Sequence, residues 1–325
     1  MKLIVQIPCY NEQDSLPQTL ADIPREIEGI DAVEILVIDD GSRDRTVAVA
    51  RELGVEHILR NKVNMGLART FRRGLEEALH LGADIVVNTD GDNQYAGKDI
   101  PVLIAPIVEG RADMVIGDRQ TAKVAHFSPA KKLLQWLGSA VVRKLAGVWV
   151  PDAVSGFRAF SREAAIKLNV VSSFSYTIET IIQAGKKNIA VTSVPIATNP
   201  KTRESRLFKS IPDFIVNSVG TMVRVYAMYQ PLRFFFYLGS VFMVAGLIPL
   251  IRFLYLHFTA GGSGHVQSVM LGGVFLTLGV LTWLVGLLSD LISFNRQLQE
   301  MTLEKVKRME LERVPVENGR WEDDG

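Results

Sequence analysis

Along the first 120 residues, short runs of aliphatic and β-branched residues alternate with longer stretches whose apolar positions recur every three to four residues. Residues 3–7, 33–38, 57–60, 85–89 and 114–117 have the length and the Val/Ile content of strands. Residues 12–27, 45–53, 66–81 and 100–109 carry helical spacing, with Asp14 or Ser15 as caps of the first helix and Pro101 opening the fourth. Strands alternating with helices of this length predict an α/β fold with a mostly parallel central sheet and helices on both faces.

From about residue 124 the rhythm changes. Residues 131–145 are amphipathic, with Lys131, Lys132, Arg143 and Lys144 near the two ends, and residues 208–229 place Ile211, Phe214, Ile215, Val219, Met222, Val223, Val225 and Tyr226 at helical spacing. Two readings fit both stretches: an ordinary core helix, or a helix lying in a membrane interface with its apolar face down. The second stretch runs directly into a hydrophobic segment, which favours the interfacial reading there.

Residues 234–258 and 268–294 each exceed the roughly 20 apolar residues needed to cross a bilayer. The segment between them contains no Lys or Arg, whereas Arg224, Arg233, Arg296, Lys305 and Lys307 flank the pair. That asymmetry predicts a membrane hairpin with a short outer loop and both ends cytoplasmic, in preference to a buried soluble hairpin. Arg252 and Asp290 lie near span ends, where they can reach the interface. Residues 297–312 read as a charged helix and 314–325 as disordered. The expected division is a catalytic domain at 1–206, a juxtamembrane amphipathic helix at 207–232, two transmembrane helices at 233–294 and a charged cytoplasmic tail at 295–325. Gly272, Gly273 and Gly279 would allow close helix approach and self-association as a homo-oligomer.

The net charge of +1 gives no basis for nucleic-acid binding. The single cysteine, Cys9, cannot form an internal disulfide and suits a reducing compartment. The apolar run that opens the chain is too short for a secretory signal before Pro8, so the first domain is expected to stay on the cytoplasmic side of the cell membrane.

The chemistry is written at strand ends. The run at 85–89 leads into Asp90-Gly91-Asp92-Asn93-Gln94, which sets hard oxygen ligands where open α/β sheets bind their ligands. Such ligands suit Mg²⁺ or Mn²⁺; alone, the run would also read as an acidic turn. Pro8-Cys9-Tyr10-Asn11-Glu12 ends the first strand and Asp39-Asp40-Gly41-Ser42 the second, so three polar, acidic ends are predicted at one edge. Carboxylates there can accept hydrogen bonds from a nucleoside. No G-x-G-x-x-G supports a Rossmann fingerprint, and no G-x-x-x-x-G-K-[ST] supports an NTPase.

These motifs, with Asp152-Ala-Val-Ser155-Gly156-Phe157-Arg158, resemble family 2 glycosyltransferases of the GT-A nucleotide-sugar fold, and within them the dolichyl-phosphate mannose synthase and polyprenyl-phosphate glycosyltransferase branch. The resemblance covers about residues 1–210. It implies that Pro8, Tyr10, Glu12 and Asp39, with Asn11 and Asp40 beside them, line the nucleoside pocket. Asp92 and Gln94 would be metal ligands, with Asp90 close to the metal or nucleotide. Arg119 would contact phosphate, and Arg203 would sit on a loop over the diphosphate. Arg206 stands where the family often has lysine. Asp152 reads either as a loop carboxylate or as a group beside the donor sugar or acceptor phosphate, and there positioning suits it better than proton abstraction. Glu179 reads as a second active-site carboxylate or a structural one.

The resemblance implies metal-dependent, inverting transfer of a sugar from a UDP- or GDP-sugar to polyprenyl (undecaprenyl or dolichyl) phosphate at the cytoplasmic membrane face. A processive polysaccharide synthase would need more spans and a Q-x-x-R-W-type run, which is absent. A non-catalytic nucleotide-sugar-binding membrane module would not need the intact Asp90/Asp92/Gln94 cluster.

Overall fold

β1 (Lys2–Cys9) is buried from Leu3 to its end, which only the middle of a sheet covered on both faces provides. The structure, a computed structural model, describes residues 1–120, 129–171, 176–199, 219–220, 223–224, 226–259 and 266–313, the side chains of 129–137 excepted. β1 pairs in parallel with β2 (Ala32–Asp39) on one side and β4 (Ile85–Asn88) on the other, and β2 pairs in parallel with β3 (His57–Arg60). Three helices make the crossovers or flank them: α1 (Leu16–Ala21), α2 (Thr46–Glu52) and α3 (Leu67–His80). After α4 (Ile100–Val108), β5 (Met114–Asp118) does not join β4. The strand β6 (Arg158–Ser161) inserts antiparallel between them, and β7 (Val191–Pro195) adds in parallel beyond β5. The seven-stranded order is β3-β2-β1-β4-β6-β5-β7.

The sheet is mostly parallel, as the alternation predicts. Because β6 runs the other way, its beginning lies at the edge where β1, β2, β4 and β5 end. Neither β6 nor β7 carries a sequence pattern long enough to predict it. The first helix is shorter than expected: it stops at Ala21 rather than continuing to 27. Pro24 accounts for this, since it lacks an N–H and disfavours helical backbone at the residue before it. One face of the sheet packs Leu3, Val5, Ile7, Ile35, Val37 and Val87 against Leu16, Ile100 and Leu103. The domain is completed by α5 (Pro129–Ala146), α6 (Arg162–Lys167) and α7 (Tyr176–Lys186).

The described chain forms two compact units, Met1–Val219 with Leu303–Gly325, and Gly220–Thr302. The second contains α8 (Pro231–Thr259) and most of α9 (Val266–Arg313). Both helices are long and apolar enough to cross a membrane, and their apolar windows are only 11% and 17% buried, unlike the core helices of a soluble domain. α9 is a single helix of 48 residues, so the second apolar segment and the expected tail helix are continuous.

Within the hairpin, glycines on the two helices face each other at seven-residue spacing. An added Cβ on Gly246 would lie 2.9 Å from the Gly272 carbonyl, and one on Gly239 2.9 Å from the Gly279 carbonyl. Trp283 closes the same seam, stacking on Phe236 at 5.3 Å and donating its indole N–H to the Phe236 carbonyl at 3.2 Å. Gly272 and Gly279 are therefore used inside the hairpin, and of the three glycines expected to favour self-association only Gly273 faces open space.

The last turns of α9 belong to the first unit. Lys307 donates to Asn169 at 2.8 Å and lies 3.7 Å from Glu76 on α3, while Arg308 pairs with Glu163 on α6 at 2.5 Å.

Candidate active site

The loops after β1 and β2 are joined by side chain to backbone contacts. The Asn11 N–H donates to Ser42 Oγ at 2.8 Å, the Arg43 N–H to Asn11 Oδ1 at 2.9 Å, and the Glu12 N–H to Thr46 Oγ1 at 2.8 Å. Asn11 sits at φ 56°, a left-handed conformation that Asn tolerates better than most residues. Asp39 is fully buried, accepts from the Ser42 N–H and lies 3.3 Å from Arg60 Nε. Asp40 accepts from Asn61 Nδ2 and from the Met65 and Gly66 N–H groups at 2.8–2.9 Å. The expected nucleoside residues thus lie together, with Asn11 and Asp40 also holding their loops in place. Tyr10 is the exposed member at the end of β1.

The acidic loop continues from β4 against this wall. Ser15 Oγ lies 2.8 Å from both Glu12 Oε2 and the Gly91 carbonyl. Gln94 folds back on Asp92, with its side-chain amide 2.7 Å from Oδ2 and its N–H 3.1 Å from Oδ1. Asp92 and Gln94 therefore reach the same point. Among the described residues no group of three or more His, Cys, Asp or Glu side chains makes an all-protein metal cage. Two carboxylates with an amide oxygen are the donors that Mg²⁺ or Mn²⁺ takes when substrate phosphates complete its shell, so the residues fit an ion held jointly with a diphosphate.

Arg119, just past the end of β5, makes a bidentate pair with Asp152: Nε to Oδ2 at 2.7 Å and Nη2 to Oδ1 at 3.0 Å. Burial alone would lower the Arg119 pKa, but Tyr95, the Asp152 contact and Asp90 outweigh it and leave it raised. The loop carrying Asp152 is fixed by Arg158, a fully buried side chain at the start of β6. Its guanidinium donates to the carbonyls of Ser155, Ala153 and Thr177 and to Thr180 Oγ1 at 2.7–2.9 Å. Burial pushes its pKa down to about 10, so it stays charged at neutral pH.

Gly156 is the point of closest approach. An added Cβ would sit 2.8 Å from the Tyr176 hydroxyl and 3.1 Å from Asp90 Oδ2. The Gly156 N–H donates to the Tyr95 hydroxyl at 2.8 Å, and its carbonyl accepts from Asn88 Nδ2 at 2.9 Å. Asn88 in turn accepts from Gln6 on β1 at 2.9 Å. Burial, reinforced by the Asp90 charge, raises the Tyr176 phenol well above its ordinary value, so it remains a hydroxyl. Asn88, Tyr95 and Tyr176 are not among the site residues expected from the sequence, and Arg158 is there only as the last residue of the Asp152–Arg158 motif, with no role given to it. Their only signal is their placement beside the motifs, since polar residues inside apolar runs are expected to have partners when buried.

Asn199 is a further addition. Its N–H donates to the Gln94 carbonyl at 3.0 Å and its side chain to the Asn93 carbonyl at 3.1 Å. The chain leading toward Arg203 is therefore fastened to the acidic loop, although Arg203 and Arg206 themselves lie outside the described residues. Glu179 is buried and accepts from the Val171 N–H at 3.2 Å and from Gln183 at 3.3 Å.

The profile of the family described as Glycosyl transferase family 2 matches residues 4–168. The undecaprenyl-phosphate mannosyltransferase of Micrococcus luteus is 28% identical over 60% of this chain and 83% of its own. The UDP-N-acetylglucosamine–dolichyl-phosphate N-acetylglucosaminyltransferase of Methanococcus voltae is 31% identical over 59% of this chain and 83% of its own. Among solved structures, glucosyl-3-phosphoglycerate synthase from Mycobacterium tuberculosis, in complex with Mn²⁺, UDP-glucose and phosphoglyceric acid, superposes with a TM-score of 0.55. It covers 70% of this chain and 79% of that one at 19% identity, a likeness of fold of the GT-A type.

Proposed function

Since the chain belongs to glycosyl transferase family 2, and is a glycosyltransferase, we propose that it moves a sugar from a UDP- or GDP-sugar to polyprenyl phosphate at the cytoplasmic face of a membrane. The observation that carries the reading is the meeting, at one sheet edge, of the Asp39 wall, the Asp90–Gln94 loop and the Arg119–Asp152 pair, in a chain that also holds two apolar helices. Relatives named for different sugars, mannose and N-acetylglucosamine, share a polyprenyl-type phosphate in their names, which supports the acceptor more than any one sugar.

The Asp39 wall holds the nucleoside, leaving the diphosphate over the acidic loop. Asp90, Asp92 and Gln94 would hold Mg²⁺ or Mn²⁺, which when bound supplies positive charge to the leaving diphosphate. A lipid phosphate oxygen forms the new bond at the anomeric carbon, on the face opposite the breaking bond, so the sugar's configuration inverts and the nucleoside diphosphate departs. The acceptor is already an anion and needs little proton abstraction. Asp152 has both oxygens engaged by Arg119, an arrangement that supports positioning over general-base chemistry. Arg119 carries the positive charge that a phosphate approaching Asp152 meets. The spans and their flanking basic residues keep the catalytic domain and both ends in the cytoplasm.

The test offers the protein polyprenyl phosphate and the corresponding free polyprenol with a panel of UDP- and GDP-sugars. Transfer to the phosphate and none to the alcohol is expected. Equal rates to both, or transfer to a soluble sugar alone, would refute the lipid-phosphate reading and favour a polysaccharide synthase.

A further inference from the structure

Between Asp118 and Asp152 the sequence has no acidic residue and six basic ones, Arg119, Lys123, Lys131, Lys132, Arg143 and Lys144. α5 ends in Gly147-Val148-Trp149-Val150-Pro151, a loop of almost wholly apolar residues. Burial of so apolar a loop is the ordinary expectation, and Val150 is indeed buried. Trp149 is 75% exposed. Its neighbour Arg143 donates from Nη1 to the Val150 carbonyl at 3.2 Å and lays its guanidinium 4.8 Å from the Trp149 ring centroid. The indole is therefore held outward by a specific contact. Val154 is also exposed, at 46%, as are Pro151, Val141 and Lys144. Asp152, buried and paired with Arg119, lies between Trp149 and Val154 in the chain.

We propose that this rim is a seat for the lipid headgroup layer, with Trp149 entering the membrane interface and Arg143 and Lys144 meeting lipid phosphates. The occupant follows from the chemistry. An indole has an apolar body and one N–H donor, and tryptophan concentrates where hydrocarbon meets water. Basic residues without acidic neighbours are attracted to an anionic leaflet. A Trp–Arg stack beside exposed valines offers both properties on one surface. The same chain carries two helices long and apolar enough to cross a bilayer. Seated in this way, the Arg119–Asp152 pair is three residues from the lipid surface, which brings the catalytic edge to an acceptor whose tail cannot leave the bilayer. The seat deepens the acceptor side of the proposed function and rests on it for that consequence alone.

The test uses the full chain in vesicles containing phosphatidylglycerol. Trp149→Cys is labelled with an environment-sensitive maleimide dye, and Glu52→Cys, exposed on α2, serves as the control. Lipids carrying a nitroxide high on the acyl chain should quench the label at 149 several-fold more than the label at 52, with iodide showing the reverse. Equal quenching at both positions overturns the seat, as does quenching at 149 that follows protein density in the vesicle rather than nitroxide content, which would indicate a second copy. In a transfer assay, Trp149→Ala should raise the KM for polyprenyl phosphate about tenfold with the donor KM unchanged, and Trp149→Phe should restore most of it. An unchanged acceptor KM in Trp149→Ala counts against the seat. Absence of transfer by the unaltered chain would refute the proposed function, while the quenching result would still decide the seat.

Discussion

At the scale of single residues, the proposed site divides between groups at the strand ends, proposed to face substrate, and groups that hold them. Asp92→Ala removes a carboxylate from a loop end rather than from the packed core. It should cost at least about a hundredfold in kcat, the scale on which loss of a charge-stabilising group is felt, with thermal unfolding little changed. Gln94→Ala should cost about tenfold, since an amide contributes no charge. Near-normal turnover of Asp92→Ala at saturating Mg²⁺ or Mn²⁺ would remove it from the metal site. The polar and acidic runs after β1, β2 and β4 were legible in the sequence because local pattern marks strand ends. The pairings between distant residues were not. Arg119 and Asp152 are 33 positions apart, and Asn88 and Gly156 are 68 apart. Nothing in either local sequence states the pairing. Gly156 reads as an ordinary turn glycine until the Tyr176 hydroxyl and the Asp90 carboxylate are seen on the side where a Cβ would point.

At the scale of elements, periodicity predicted the first five strands and missed the two that finish the sheet. β6 has four residues and β7 five, and what places them is register against β4 and β5, a non-local property. The same limit applies to the hairpin. Its two apolar segments are plain in the sequence, but which glycines face inward depends on the pairing of the helices. The pairing has a direct test. Gly246→Leu, and separately Gly272→Leu, should destabilise the detergent-solubilised protein by about 1–3 kcal/mol, as overpacking of a close contact does. Gly273→Leu, which meets open space, should leave the melting temperature in detergent within error of the parent. Equal losses at 272 and 273 would contradict the seam.

At the scale of the whole chain, the proposed topology puts the short interhelical loop outside and the catalytic domain inside. In intact cells, a membrane-impermeant maleimide should label Ser263→Cys, in a segment outside the described residues, and should not label Glu52→Cys. Cys9 need not be removed: it is buried, and burial raises its thiol well above the ordinary range, so little nucleophilic thiolate forms near neutral pH. Labelling of Glu52→Cys from outside would invert the topology. One contact has a consequence in time. Glu76, Glu163 and Asn169 belong to the part of the chain that is synthesised first, yet their partners Lys307 and Arg308, in the last turns of α9, come after both apolar segments. At ribosomal speeds of about 5–20 residues per second, that delay is on the order of ten seconds. Through that interval Glu76 and Glu163 have only the partners on their own helices, Arg72 and Lys167, and the nascent catalytic domain waits for its last helical turns until the second apolar segment has been made.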